Sequence, residues 1–492
     1  MDVVVNGIWI PVYPLPQVEE EDVDAWQISG AMTNIIFRCH NRVTNQYVLV
    51  RIFGTNDALF SREAEQDIFR RVAQVGLGPK LLANFRNGRV EEFLLDQAVS
   101  AADMRSRPIA FCVATAMACF NFSPLILSRN GVAPRAIVWE RLRSWAGSVA
   151  KHYRPEQLSA FGVNDVFGEI AALEAALTAN HSSLLGFCHN DLQYGNMLLH
   201  TASHRSLSMD SISSHHSIER ALRGSSPPPR GSSPISVRRG GPRGTSPEPE
   251  GMSPRSGERL RLGSKGFAPS EMEPRTSDGE LVTDLLARAG AEFERQSSAG
   301  LAADGASPAD DSAASHHLRE HAQRSGRAFG SERLSVRLID YEYAGPNPVA
   351  FDIANHWCEY GADYHTDTPH LLDYSLMPDE QQQARHPGVP VSVSVSVCKD
   401  RFVRAYMESA LALQGGRGLL ASGSQEAALE EAVEQLKATC RAYLPVSHLL
   451  WGLWGLIQAH TSNVPGFDFN SYAQQRLEQY VKLRELALPN GQ

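Results

Sequence analysis

The chain has 492 residues, 42% hydrophobic and 21% charged, with a formal net charge of −9. That balance argues against a nucleic-acid binder held by overall basic charge, and no apolar run reaches the ~20 residues of a membrane-spanning helix. Seven cysteines are scattered without a CxxC pair, which points away from a zinc site or disulfide framework and toward a reducing, cytoplasmic setting.

The N-terminal stretch MDVVVNGIWIPVYPLP lacks a basic region and is broken by prolines, so no secretory signal is expected. Strand-like alternation follows in WQISG, NIIFRCH and QYVLVRIFG, with the turn-rich NRVTN predicting a hairpin between the last two. A helix is expected from Ser61, a good N-cap, to near Gly76. Two short strands, GPKLLANF and GRVEEFLL, should flank the turn Arg86-Asn87-Gly88. These elements predict a small β-rich α+β lobe over residues 1–96, followed by a second part over 97–200 that is mostly helical from about 97 to 185, with EIAALEAAL its clearest helix.

Residues 201–333 change character. Runs such as RGSSPPPRGSSPISVRRGG cannot bury enough apolar surface to offset chain entropy, so a long disordered insertion is predicted. It carries one short helical pattern, GELVTDLLARAGAEFER, and Ser-Pro sites at Ser226, Ser233, Ser246, Ser253 and Ser307. It reads either as an unconstrained solvated loop or as a phosphorylated segment with phospho-dependent partners. Order should return over 334–492, with the strand SVRLIDYEY, the helix FDIANHWCEY and long helical patterns from 400 to 485. The low-complexity stretch 381–398 is expected to be an inserted loop.

The segment Phe187-Cys188-His189-Asn190-Asp191-Leu192-Gln193-Tyr194-Gly195-Asn196 places His, Asp and Asn in the order H-x-D-x-x-x-x-N. Phosphoryl transfer needs a carboxylate to accept the proton of the attacking hydroxyl, and an oxygen ligand for Mg²⁺ a fixed distance away. Asp191 suits the first role and Asn196 the second. The acid ending an apolar strand in Leu338-Ile339-Asp340-Tyr341-Glu342 suits a second metal ligand. If MLLH and SVRLID pair as a hairpin with the insertion at its tip, the spacing of a kinase is restored; loop closure costs little more for a longer loop. No GxxxxGK[ST] occurs, excluding a P-loop enzyme. The small, polar stretch Ser29-Gly30-Ala31-Met32-Thr33-Asn34 is suited to covering phosphates. Arg51 stands at an inward strand position to grip phosphate oxygens, with Glu63 or Glu65 available to orient it.

Together, ISGAMTNIIF, GPKLL, NGRVEEF, FCHNDLQYGNMLL, IDYEYAGPNPVAFDIANHWCEY and SHLLWGLWGLIQ resemble the choline/ethanolamine kinase family, and ADYHTDTPHLLDYS resembles its plant-type members. The resemblance covers roughly residues 25–200 and 334–485. It implies a protein-kinase-like two-lobe fold, with a small β-rich N-lobe and a large, mostly helical C-lobe. It also implies ATP- and Mg²⁺-dependent phosphorylation of an amino alcohol, the first step of the CDP-choline/CDP-ethanolamine route. By this resemblance Asp191 is the catalytic base, Asn196, Asp340 and Glu342 serve the metal, and Gln193 serves the nucleotide-metal site. Ser29, Gly30, Thr33, Asn34 and Arg51 serve the phosphates, and Glu91, Glu92, Phe93 and Leu94 form the hinge around the adenine. Choline has no N–H donors, so aromatic faces and a negative field must hold it. Tyr343, Glu359, Tyr364, Trp451, Trp454, Phe467 and Tyr472 match the family's substrate pocket, while a core stripe is the bland alternative for Trp451 and Trp454. Ethanolamine would lean on Glu359 and Asp363. VPGFDF departs from the family's usual Ile-Glu-Phe or Ile-Asp-Phe, and Ala31 from its second glycine.

Three other readings compete. The aromatic set and the plant-type stretches modestly favour choline, and the near alternative is an ethanolamine-preferring kinase of the same fold. A silent scaffold using the insertion sits poorly with intact Asp191, Asn196 and Asp340. RNA binding through the Arg/Gly patches near 221–245 lacks interleaved aromatics. Homodimers are common in the family, although no separate dimer motif is present.

Overall fold

The computed structural model describes residues 2–5, 8–11, 22–28, 34–54, 59–123, 125, 134–180, 184–203, 327–329, 332–377, 399–413, 423–462 and 464–488. Strands β1 (Asp2–Val5) and β2 (Ile8–Pro11) form a hairpin. The alternation that follows becomes a five-stranded antiparallel sheet made of β3 (Val23–Ile28), β4 (Asn34–Asn41), β5 (Gln46–Phe53), β6 (Leu81–Phe85) and β7 (Gly88–Glu92). Its order is β3-β4-β5-β7-β6. The β4–β5 turn closes at Asn45, whose φ of 55° is the left-handed conformation Asn tolerates best after Gly. Side chains alternate across the sheet: Phe37, Val50, Ile52 and Val90 bury one face, while Arg51, Arg89 and Glu91 occupy the other. Helix α1 (Arg62–Gln74) starts as expected, with Ser61 accepting from the Ala64 amide at 3.3 Å, and the chain leaves it through Gly76 at φ 73°.

The connection after β7 leads to β8 (Gln97–Ala98), α2 (Ala101–Met104), α3 (Arg107–Asn121), α4 (Ile137–Val149), α5 (Pro155–Ala160) and α6 (Val166–Asn180). Next come β9 (Leu185–Cys188), β10 (Met197–Ser203), β11 (Arg327–Phe329), β12 (Glu332–Leu338) and β13 (Gly345–Pro348). The chain closes with α7 (Val349–Cys358), α8 (Lys399–Leu413), the long α9 (Gly423–Thr461) and α10 (Phe469–Leu483). One large core, including Trp145, Trp357, Met117 and Leu450, joins these helices.

The hairpin expected across the insertion is present: β10 pairs antiparallel with β12 from Met197↔Leu338 to Ser203↔Glu332. It is longer than the composition predicts. Strand β10 runs past residue 201, and β11 and β12 begin before 334, because alternate ladder partners hold a polar sequence that no apolar pattern marks. Residues 204–326, including the helical pattern at 279–295, lie outside the described residues, as does 381–398. Asp96, just after β7, bridges His200 of β10 at 2.8 Å and Arg337 of β12 at 3.2 Å. The link between the lobes is thereby tied to the ribbon that carries Asn196 and Asp340 at its root.

Candidate active site

The loop from β9 to β10 owes its shape to one buried acid. Asp352, at the start of α7, accepts the amides of His189 (3.1 Å) and Asn190 (2.8 Å) and the side-chain amide of Asn121 (3.0 Å). Asn355, one turn on, donates to the Asn190 carbonyl at 3.1 Å. Asn190 itself sits at φ 65° and donates to the Tyr343 carbonyl at 2.9 Å while accepting from Asn347 at 2.8 Å. The His189 ring is wholly buried, bonded to the Ile339 carbonyl at 2.9 Å, and burial lowers its pKa, so it is a neutral brace for the loop.

This loop presents Asp191. Asn196 donates from Nδ2 to the Asp191 carbonyl (2.8 Å) and to its carboxylate (3.1 Å), which leaves Asn196 Oδ1 as its acceptor atom. Gln193 accepts from the Gly195 amide at 2.7 Å and donates to Asn196 Oδ1 at 3.4 Å, so here it braces the turn and Asn196. Burial, then the negative charges of Glu359, Glu342 and Asp340, raise the Asp191 pKa well above the carboxylate range, against the Asn196 bond. Such a carboxylate is a stronger base than an exposed one. Asp340 stands at φ 67°, with Oδ1 buried and unpartnered and Oδ2 3.6 Å from Arg51. Among the described residues no three acids, histidines or cysteines converge into a metal-holding cluster. Asp191, Asp340 and Glu342 are therefore not a preformed three-carboxylate centre. The orphaned Asp340 oxygen, with Asn196 braced on the same loop-and-ribbon root, fits instead a metal shared with nucleotide phosphates, which takes few protein ligands.

Arg51 is gripped differently from the sequence expectation. Its Nε donates to Glu91 at 2.8 Å, and Glu91 also takes Arg89 Nε at 2.7 Å. Arg89 reaches Glu65 at 2.5 Å. Burial would lower the Arg51 pKa, but Glu91 and Asp340 outweigh it and raise it. Glu65 thus bonds Arg89 and acts on Arg51 by its charge alone, and Glu63 accepts from Ser61 at the exposed start of α1. The reason is register: Arg51 lies opposite Arg89, and Leu49 opposite Glu91, so Glu91 is the acid that can relieve two facing cations. Glu91 therefore spends its side chain on this network. Of the other hinge residues, Glu92 pairs with Lys80 at 3.6 Å, Phe93 packs near Tyr47, and Leu94 lines a small cavity with Glu92, Leu77, Phe120 and Val336. Asn34 accepts from Arg62 at 3.2 Å, while Ser29, Gly30 and Thr33 lie outside the described residues.

Across the loop, the aromatic residues do gather. Tyr343 meets Trp451 edge-on at 5.5 Å, Trp451 meets Trp454 at 5.6 Å, Trp454 meets Tyr472 at 5.8 Å and Phe467 meets Tyr472 at 5.6 Å. Trp454 Nε1 donates to the Tyr343 hydroxyl (3.1 Å) and Trp451 Nε1 to Asn355 (2.6 Å), so both tryptophans brace the site besides filling the core. Glu359 is buried beside them: Tyr364 donates to one oxygen at 2.7 Å and Arg476 to the other at 3.2 Å. Tyr364 stacks on Tyr194, whose hydroxyl accepts the Tyr364 amide at 2.6 Å. Sequence reasoning missed Asp352, Asn355, Arg89 and Arg476. Only the first two had a signal, an i, i+3 pair on one face of the helix that follows the IDYEY acid.

A buried carboxylate on a braced loop, an amide and an acid apt for a nucleotide-bound metal, and a sheet lobe carrying a paired arginine are the parts a phosphotransferase of the protein-kinase-like fold requires. A choline kinase from Cryptosporidium parvum matches that fold with a TM-score of 0.53 at 16% identity, over 96% of this chain and 92% of its own. An ethanolamine kinase from Plasmodium vivax gives 0.52 at 15%, over 95% and 85%. The choline/ethanolamine kinase family model matches residues 26–210 and 330–481, and the chain belongs to that family. A probable choline kinase 2 of Arabidopsis thaliana is 27% identical over 94% of this chain and 86% of its own. A probable ethanolamine kinase of Nematostella vectensis is 35% identical over 32% of this chain and 36% of its own. The protein is thus a kinase-family enzyme using ATP. Among the described residues, no helix is long and apolar enough to cross a membrane.

Proposed function

We propose that the protein transfers the γ-phosphoryl group of ATP to the hydroxyl of choline in the cytoplasm, and to ethanolamine less well. The raised basicity of Asp191 beside the aromatic cage carries the reading. Asp191 takes the hydroxyl proton as the alcohol oxygen bonds to the γ-phosphorus, the bond to the bridging oxygen breaks, and ADP leaves. Arg51, anchored by Glu91, offers its terminal nitrogens to phosphate oxygens. Asn196 and Asp340, with Glu342 nearby, would hold Mg²⁺, which when bound spreads the charge of the phosphates.

The cage favours a cation without N–H donors. Aromatic faces attract the weakly hydrated trimethylammonium group. A primary ammonium loses more hydration and needs acceptors in return. Glu359 is the natural acceptor, but each of its oxygens already receives a donor from the chain, and Arg476 offsets its charge. ADP release by the full chain with Mg·ATP and choline, ethanolamine or neither tests this. Faster turnover of choline supports the reading, and alcohol-independent or absent turnover refutes it.

A further inference from the structure

Two arginines touch the aromatic cage, and they differ in one respect. Arg476 is wholly buried, lies over Tyr472 and is neutralised by Glu359. Arg141, on α4, donates from Nη2 to the Tyr343 carbonyl at 3.1 Å, with its guanidinium 5.4 Å from the Tyr343 ring centroid and 5.9 Å from that of Trp145. Among the described residues it forms no ion pair. Asn190 donates to the same Tyr343 carbonyl at 2.9 Å. Arg141 and the loop that carries Asp191 therefore converge on a single oxygen. Burial lowers the Arg141 pKa to about 10 even though Tyr343 and Asp191 act to raise it, a cation left without a full counter-charge.

An uncompensated cation beside a pocket for a cationic alcohol opposes binding. It makes sense if its partner arrives with the reaction, and the anion that arrives between Asp191 and the cage is the phosphoryl group. We propose that Arg141 contacts the transferred phosphoryl group from the acceptor side, opposite Arg51, and steadies it while the alcohol oxygen gains the phosphorus and ADP departs. The proton goes to Asp191 and no further reactant is needed. A planar guanidinium with donors to spare is suited to equatorial phosphoryl oxygens. The inference rests on the phosphotransfer reading above.

The test compares Arg141→Gln, Arg141→Met and Arg141→Lys in the full chain, reading kcat, choline KM and inhibition by added phosphocholine. Arg141→Met keeps an unbranched stem against Tyr343 and Trp145 and guards against loss of fold in the Gln variant. We expect kcat to fall on the order of 10²-fold in the Gln and Met variants and to recover partly in Lys. Choline KM should hold or fall, since a like charge has left the pocket, and phosphocholine inhibition should weaken. A packing role would instead raise choline KM, with no rescue by Lys. A kcat within twofold of wild type, or phosphocholine inhibition unchanged in every variant, overturns the proposal. Absence of choline turnover by the wild-type chain would overturn the phosphotransfer reading itself, which separates the two failures.

Discussion

Asp352 offers the sharpest test of how the loop is held. It is 1% exposed and accepts two consecutive backbone amides, those of His189 and Asn190, just before Asp191. Bonds to a charged acceptor are worth roughly 1.5–3 kcal/mol each, so the pair contributes about 3–6 kcal/mol. Against this stands the left-handed backbone of Asn190 at φ 65°, a cost of about 1–2 kcal/mol. Asp352→Asn keeps one acceptor and turns an NH₂ group toward the other amide. About 3 kcal/mol of support is lost, which leaves the strained conformation barely favoured. If that loss falls on the placement of Asp191, kcat for ADP release drops about 100-fold, at about 1.4 kcal/mol per decade. KM for choline should change little, because the cage is built from α9, α10 and Tyr343. A kcat within threefold of wild type, with thermal stability reduced, would refute the reasoning: Asp352 would then support the fold without setting the loop.

The electrostatics of Asp191 give a pH prediction. Its pKa is raised by burial and then by Glu359, Glu342 and Asp340, and the base must be ionised to work, so activity should rise with pH through a limb above the ordinary carboxylate range. Glu342→Gln removes one repelling charge and should move that limb in kcat/KM to lower pH; a limb that stays put contradicts the assigned neighbours. Tyr364→Phe frees one Glu359 oxygen and should raise kcat/KM for ethanolamine relative to choline about fivefold, the equivalent of about 1 kcal/mol; an unchanged ratio contradicts the role given to Glu359. Replacing 204–326 by a short Gly/Ser linker should leave turnover within about twofold, since the β10–β12 ladder closes from Met197↔Leu338 to Ser203↔Glu332. Loss of activity with the fold intact would show that the replaced stretch takes part in the chemistry.

Local patterns carried much of this site into the sequence. Asp191 and Asn196 are five residues apart on one loop, and Asp340 ends an apolar strand, so each announces itself within a short window. The hairpin across the long insertion was legible because one of its strands leaves the first motif and the other runs into the second. The partner of Arg51 was not: Glu91 reaches it through the β5–β7 register, which chain spacing does not reveal, whereas helix acids such as Glu63 and Glu65 look equally apt on paper. The outer ends of β10 and β12 were hidden for the opposite reason, since ladder bonds hold residues with no apolar alternation. Arg141 and Arg476 were silent because an arginine on a helix reads as surface until tertiary packing buries it.

The central claim is that Asp191 deprotonates an amino alcohol for attack on ATP. The most direct measurement is ³¹P NMR of the products formed from Mg·ATP and choline by the full chain and by its Asp191→Asn variant. The account predicts a phosphomonoester resonance growing with ADP for wild type, and neither for the variant at equal ATP binding. A product other than the choline phosphomonoester, or undiminished turnover by Asp191→Asn, would contradict it.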